Sequence, residues 1–244
     1  MSLFEDLATT RRRVLQLLGG AALLPLVGCG DDAGGGGSCV GIPEETAGPF
    51  PGDGSIGPNA LATPGVVRSD LRTSFGGLVG TAGGVPLTLR FTLVDRDCAP
   101  LAERAVYVWQ CDREARYSLY TAGATDQNYL RGVLATDSAG VVTFTSIFPA
   151  CYTGRWPHVH FEVYADLEAA TTGGTKLVTS QLALPEATCD GVYATAGYES
   201  SVAALAQVSL ASDSVFRDGF EAQLATVTGD MATSGLVASL TIAV

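Results

Sequence analysis

The only two histidines of the chain, His158 and His160, are separated by a single residue, and Tyr152 and Arg155 stand just upstream of them. Along an extended strand, side chains at i and i+2 leave from one face, so residues 157–163 would present both imidazoles side by side. Neutral imidazole nitrogens paired in this way suit iron, copper or zinc. With no third histidine, an imidazole-based triad elsewhere would have no base, and no Gly-x-Ser-x-Gly elbow is present. A hard ferric ion also wants anionic oxygen, which Tyr152 and Tyr117 could supply as phenolates. Each of these rings would equally suit packing at a core or rim. A carboxylate such as Glu162, on the same predicted face as the histidines, offers a different donor set for Fe(II) or Zn(II).

Such groups need a frame. Leu87, Leu89, Phe91 and Leu93 alternate with Thr88, Arg90, Thr92 and Val94, the period-two pattern of a half-buried strand. Similar short runs follow at 105–110, 131–136, 141–147, 157–165, 176–182, 205–210, 220–227 and 236–244, many of them separated by Gly, Asp, Ser and Pro clusters. Little helical periodicity is visible. The pattern predicts an all-β fold, a β-sandwich of mostly antiparallel strands with functional groups on long loops and strand ends.

Composition narrows the partners. The chain has 244 residues, 47% of them hydrophobic, and a formal charge of −11, with Lys176 the only lysine. No basic patch exists to hold a phosphate backbone, so nucleic acid is excluded as a partner. The first residues read as targeting: Thr10-Arg11-Arg12-Arg13-Val14-Leu15-Gln16 resembles a twin-arginine signal and precedes an apolar stretch too short to span a bilayer. Leu26-Val27-Gly28-Cys29 resembles a bacterial lipobox, with Cys29 the acylated residue. The expected organisation is a signal peptide over 1–28, a Gly-rich tether over 29–38 and one domain over 39–244. This places the protein in a bacterial cell envelope, on the extracytoplasmic side, attached to membrane by the N-terminal lipid alone. In that oxidising setting Cys39, Cys98, Cys111, Cys151 and Cys189 allow up to two disulfides, whose pairing the sequence leaves open.

Several separated motifs together resemble the intradiol ring-cleavage dioxygenases, the catechol and protocatechuate dioxygenase family. Thr46-Ala47-Gly48-Pro49-Phe50 is similar to that family's Thr-x-Gly-Pro, residues 109–118 to its Trp-x-x-Asp-x-x-Gly-x-Tyr-Ser, and Leu130-Arg131-Gly132 with Thr136-Asp137 to its next strand. The stretch from Phe148 to Phe161 resembles its Tyr, Arg, His-x-His signature. The resemblance implies Fe(3+) held by Tyr117, Tyr152, His158 and His160, with Arg155 over the substrate ring and Gln181 as the active-site glutamine. Tyr152 is then also catalytic, as the tyrosinate that leaves the iron and takes a substrate proton. The implied reaction cleaves a catechol with O2 between its hydroxylated carbons, giving a cis,cis-muconate-type dicarboxylate.

The chain departs from the family pattern at Ala115, where a glycine is expected two places before the first tyrosine. The segment between Tyr152 and His158 is also shorter than in the classical catechol enzymes. Two alternatives therefore stand beside the dioxygenase: a non-catalytic envelope β-sandwich lipoprotein with a degenerate site, and the His/carboxylate Fe(II) or Zn(II) site built with Glu162. Neither the preferred catechol nor the oligomeric state can be read from these residues.

Overall fold

Alternation in the sequence becomes alternation in burial. In β1 (Pro86–Val94), Leu87, Leu89, Phe91 and Leu93 are buried, whereas Thr88, Arg90 and Thr92 are partly or fully exposed. The computed structural model describes residues 38–231 and 234–244. One sheet runs β4 (Val141–Ile147), β1, β8 (Gly235–Ala243), β7 (Thr226–Asp230). The other runs β3 (Arg131–Ala135), β2 (Ala105–Trp109), β5 (His158–Tyr164), β6 (Lys176–Ala183). Every neighbouring pair is antiparallel except β1 with β8. This is the expected all-β sandwich.

The core lies between the sheets. Leu89, Phe91 and Phe144 from the first sheet meet Val106, Val108, Val159, Phe161 and Val163 from the second. Phe91 and Phe161 touch across the gap with ring centroids 5.4 Å apart. Burying the odd-numbered residues of β5 in this core turns its even-numbered residues to the outer face of the second sheet. There His160 lies opposite Trp109 of β2 and Gln181 of β6, and Glu162 lies opposite Tyr107 and Thr179. Every residue of β5 is buried, so the outer face is covered as well.

Loops provide that cover. A second apolar cluster brings Ala60, Leu61, Val66 and Phe75 onto Tyr107, Trp109, Tyr117 and Val133. Residues 66–68 extend the sheet edge: the Arg68 amide donates to the Val133 carbonyl and the Val133 amide to that of Val66. The short helices α1 (Leu167–Thr172), α2 (Glu186–Tyr193) and α3 (Glu199–Leu205) fill connections. Asp166 caps α1 by accepting from the Ala169 amide, and Gly173, at φ 81°, ends it.

Two of the expected strands are corrected. Residues 205–210 are not a strand: Leu205 closes α3, after which Val208 and Leu210 pack on Trp156 and Phe216 from a loop. Their apolar spacing served a satellite cluster rather than a pleat. The run 220–227 joins β7 only at its last residues, because the Gln223 and Leu224 amides donate back to the Phe220 carbonyl in a turn. One disulfide, Cys39–Cys98, ties the start of the domain to the loop after β1, while Cys111, Cys151 and Cys189 are free and buried. The signal, lipobox and nearly all of the tether lie outside the described residues, among which no helix is long and apolar enough to cross a membrane.

Candidate metal centre

Four donor atoms from three places in the chain converge on the outer face of the second sheet. Tyr117 Oη lies 3.2 Å from Tyr152 Oη and 3.3 Å from the Nε2 atoms of both His158 and His160. Tyr152 Oη is 3.3 Å from His158 Nε2, and the two Nε2 atoms are 3.1 Å apart. A cation bonded at about 2 Å to a roughly tetrahedral donor set holds those donors about 3.3 Å apart, so a single ion fits between them.

Each ligand is aimed by its own local structure. His158 Nδ1 donates to the Trp156 carbonyl at 2.5 Å, which fixes the tautomer and leaves Nε2 with a free lone pair. The His160 ring stacks on Trp109, its cross-strand neighbour, with centroids 4.8 Å apart and planes 8° from parallel. Its Nδ1 has no hydrogen-bond partner among the described residues, so the ring is oriented by this stacking and by edge contacts to Tyr117 and His158. Tyr152 begins a tight turn in which the Arg155 amide donates to the Tyr152 carbonyl and Gly154 takes φ 82°.

Tyr117 follows a turn organised by Asp112. That buried carboxylate accepts from the Glu114 and Arg116 amides, from Arg116 Nε at 2.8 Å and from the Tyr129 hydroxyl at 2.9 Å. Ala115 sits in this turn at φ 63°, the left-handed region that favours glycine. The alanine accepts the strained backbone, and Tyr117 still points at the histidines. The departure at Ala115 therefore does not turn Tyr117 away from the histidines.

Burial keeps all four groups uncharged. Burial, reinforced by Arg155, drives His158 down to about 3, and burial beside His158 drives His160 well below the ordinary value, so both imidazoles are neutral. Burial pushes Tyr152 up to about 12 and raises Tyr117 well above the ordinary phenol value, the latter helped by its phenolic neighbour. The protein alone therefore presents two neutral nitrogens and two phenols whose ionisation it opposes. A multivalent cation at their centre reverses the tyrosine bias, because phenolate then neutralises charge in a buried site.

Glu162 belongs elsewhere. Its carboxylate accepts from the Tyr164 hydroxyl at 2.7 Å and pairs with Lys176 at 2.7 Å. Among the described residues no group of three or more His, Cys, Asp or Glu side chains is placed to hold a metal, which removes the His/carboxylate alternative.

Beside the four donors lies a cavity of about 520 Å³, lined by Thr46, Gly48, Pro49, Phe50, Ile56, Tyr117, Tyr152, Arg155, His160, Ser214 and Val215. Arg155 reaches it in a fixed pose, with Nε donating to Asp213 at 2.9 Å and Nη2 to Gln181 Oε1 at 2.5 Å. Gln181 is itself held by donating from Nε2 to the Thr46 carbonyl at 2.9 Å. Sequence reasoning found Arg155 and Gln181 but missed Asp213, a fully buried carboxylate that also accepts from the Trp156, Val215 and Phe216 amides. Nothing in Ala-Ser-Asp-Ser marks that residue in advance.

Residues 66–186 match the model of the family described as Dioxygenase. That span contains all four donors together with Arg155 and Gln181. The chain is similar in structure to an intradiol ring-cleavage dioxygenase from Tetranychus urticae, at 24% identity and TM-score 0.67, covering 84% of this chain and 94% of that one. It is also similar to the dioxygenase domain of a dioxygenase carbohydrate-binding protein fusion from Streptomyces sp. SirexAA-E. There the identity is 21% and the TM-score 0.54, with 84% and 98% of the two chains covered. Catechol 1,2-dioxygenase from Pseudomonas arvilla C-1 aligns at 19% identity and TM-score 0.51 over 83% of this chain and 62% of that one. At these identities the likenesses speak for the fold. No curated protein matches the chain by sequence.

Proposed function

We propose that this protein is an iron(III)-dependent intradiol dioxygenase that cleaves a catechol with O2. The observation that carries the reading is the convergence of two phenol oxygens and two imidazole nitrogens, five of whose six pairs lie 3.1–3.3 Å apart, beside a cavity large enough for an aromatic ring. The Dioxygenase family match over 66–186 supports it independently.

Tyr117, Tyr152, His158 and His160 would hold the ion. Iron(III), when bound, supplies the Lewis acidity and redox character that let a chelated catechol dianion react with O2 and open to a cis,cis-muconate-type dicarboxylate containing both oxygen atoms. Two tyrosinates suit that oxidation state, since their negative charge stabilises the ferric over the ferrous ion. Both tyrosines border the cavity, but Tyr117 is buried whereas Tyr152 is partly exposed. Tyr152 is accordingly the residue whose Oη would take a catechol proton. Arg155, locked by Asp213 and Gln181, presents its positive charge where the ring gains electron density and stabilises that charge without reorganising. Phe50 and Val215 give the cavity an apolar wall against which an aromatic ring can pack.

Oxygen uptake by iron-loaded protein tests the reading. Catechol should consume one O2 per ring with a dicarboxylate as product; stoichiometric iron with no uptake across a panel of catechol, protocatechuate and hydroxyquinol would reject it.

The same proposal includes export by a twin-arginine signal over residues 1–28 and acylation at Cys29. The export route carries folded proteins and would allow iron to be loaded beforehand. Replacing Arg11 and Arg12 with lysine should retain the protein in the cytoplasm, and Cys29→Ala should release it from membranes. Unchanged fractionation in either variant would remove that part.

A further inference from the structure

The lining of the cavity holds one cation, Arg155, whose guanidinium is fixed beside the ring position by a carboxylate partner of its own. Arg155 is paired with the fully buried Asp213 carboxylate at 2.9 Å, and its second hydrogen bond goes to the neutral Gln181. Around this pair the charge is negative. Glu45 lies within electrostatic reach of both Arg155 and Asp213, with Asp218 its strongest charged neighbour. Of the other lining residues Pro49, Phe50, Ile56 and Val215 are apolar, while Thr46 and Ser214 add hydroxyls but no charge. Phe50 lies between Tyr117 and Tyr120, at centroid distances of 5.1 and 5.3 Å, so its apolar face is fixed rather than adaptable. A carboxylate carried on a bound ring would meet apolar side chains and negative charge here, with no unpaired cation to hold it.

The volume argues in the same direction. About 520 Å³ exceeds what a bare catechol ring occupies, and the spare room lies along apolar side chains. We propose, resting on the intradiol reading of this site, that the substrate is a catechol whose ring carries an uncharged, apolar substituent, and that the site discriminates against ring carboxylates. Specificity here comes from a repulsive, unpaired environment for the anion as much as from contact with the apolar group.

Two readouts on iron-loaded protein test this. Steady-state cleavage of 4-tert-butylcatechol and of protocatechuate should differ by roughly tenfold or more in kcat/KM, favouring the alkyl compound. Calorimetric binding of the same two compounds under nitrogen should show the same preference. Ile56→Arg, at a half-exposed position on the cavity rim, adds an unpaired cation and should move the ratio toward protocatechuate. Equal or better binding of protocatechuate by the unaltered protein overturns the inference, as does an Ile56→Arg ratio that stays fixed. If neither compound is cleaved yet the alkyl catechol binds preferentially, the cavity's selectivity stands and the catalytic reading fails.

Discussion

Ala115 carries a measurable strain. At φ 63° an L-side chain costs about 1 kcal/mol relative to glycine, partly offset by the greater freedom glycine has in the unfolded chain. Ala115→Gly should therefore raise stability by up to about 1 kcal/mol, a gain of about 2–4 °C in Tm for a domain of this size, with activity kept. A thermal melt decides it, and a lower Tm would mean that the turn does not need that geometry. Asp213 offers a second test at the same scale. Burial pushes its carboxyl up, but hydrogen bonds from the Trp156 and Val215 amides and the charge of Arg155 outweigh burial and hold it below the usual 3.8. Because the folded value is depressed, the stabilisation is fully present above 3.8 and drains away as pH falls through the folded value. Urea midpoints measured between about pH 5 and pH 2 should fall steeply in the parent and less steeply in Asp213→Asn. Parallel slopes would contradict that role.

The loop that walls the cavity is bolted to the sheet by an ion cluster built on the chain's only lysine. Lys176 of β6 pairs with Glu162 of β5 at 2.7 Å and with Asp53 of the loop, and both carboxylates are buried. Arg131 of β3 adds hydrogen bonds to the Phe50 and Pro51 carbonyls, and Tyr107 another to Pro51. Lys176→Met leaves two buried carboxylates without their cation, a loss of about 3 kcal/mol or more. Its expected signature is a lowered Tm together with a raised KM, because Phe50 and Ile56 lose their anchor. Unchanged Tm and KM would show that Arg131 suffices. This cluster also marks where strand reading reached its limit. Period-two spacing put His158, His160 and Glu162 on one face of β5, correctly, but could not say that the third residue serves a salt bridge 2.7 Å from a lysine on the next strand. Local pattern fixes which face a side chain takes; which partner meets it depends on strand order and on loops brought from distant sequence. The run 205–210 failed for a related reason, since apolar residues in a loop that covers Trp156 carry the same spacing as a pleat.

At the scale of the whole molecule, the sandwich buries one face of each sheet against the other and gives the outer face of the second sheet to chemistry. Among the described residues, two sheets of four strands supply a rigid floor, and His158 and His160 are part of that floor rather than of a loop. The tyrosines come from the connections after β2 and β4, so the site closes only when the whole domain folds. Most of that plan was legible: the strands from alternation, the four donors from the family resemblance of their motifs. Asp213 was not, because its importance arises from burial under Arg155 and not from its neighbours in sequence. The single disulfide was not legible either, since spacing alone does not say that Cys39 and Cys98 come within a Cα distance of 5.3 Å.

The central claim is that two tyrosinates and two histidines bind iron(III), and the visible spectrum of iron-loaded protein tests it most directly. The account predicts one iron per chain and a burgundy tyrosinate-to-iron absorption band that weakens in both Tyr117→Phe and Tyr152→Phe. One iron per chain with no such band, or a band indifferent to both substitutions, would contradict it.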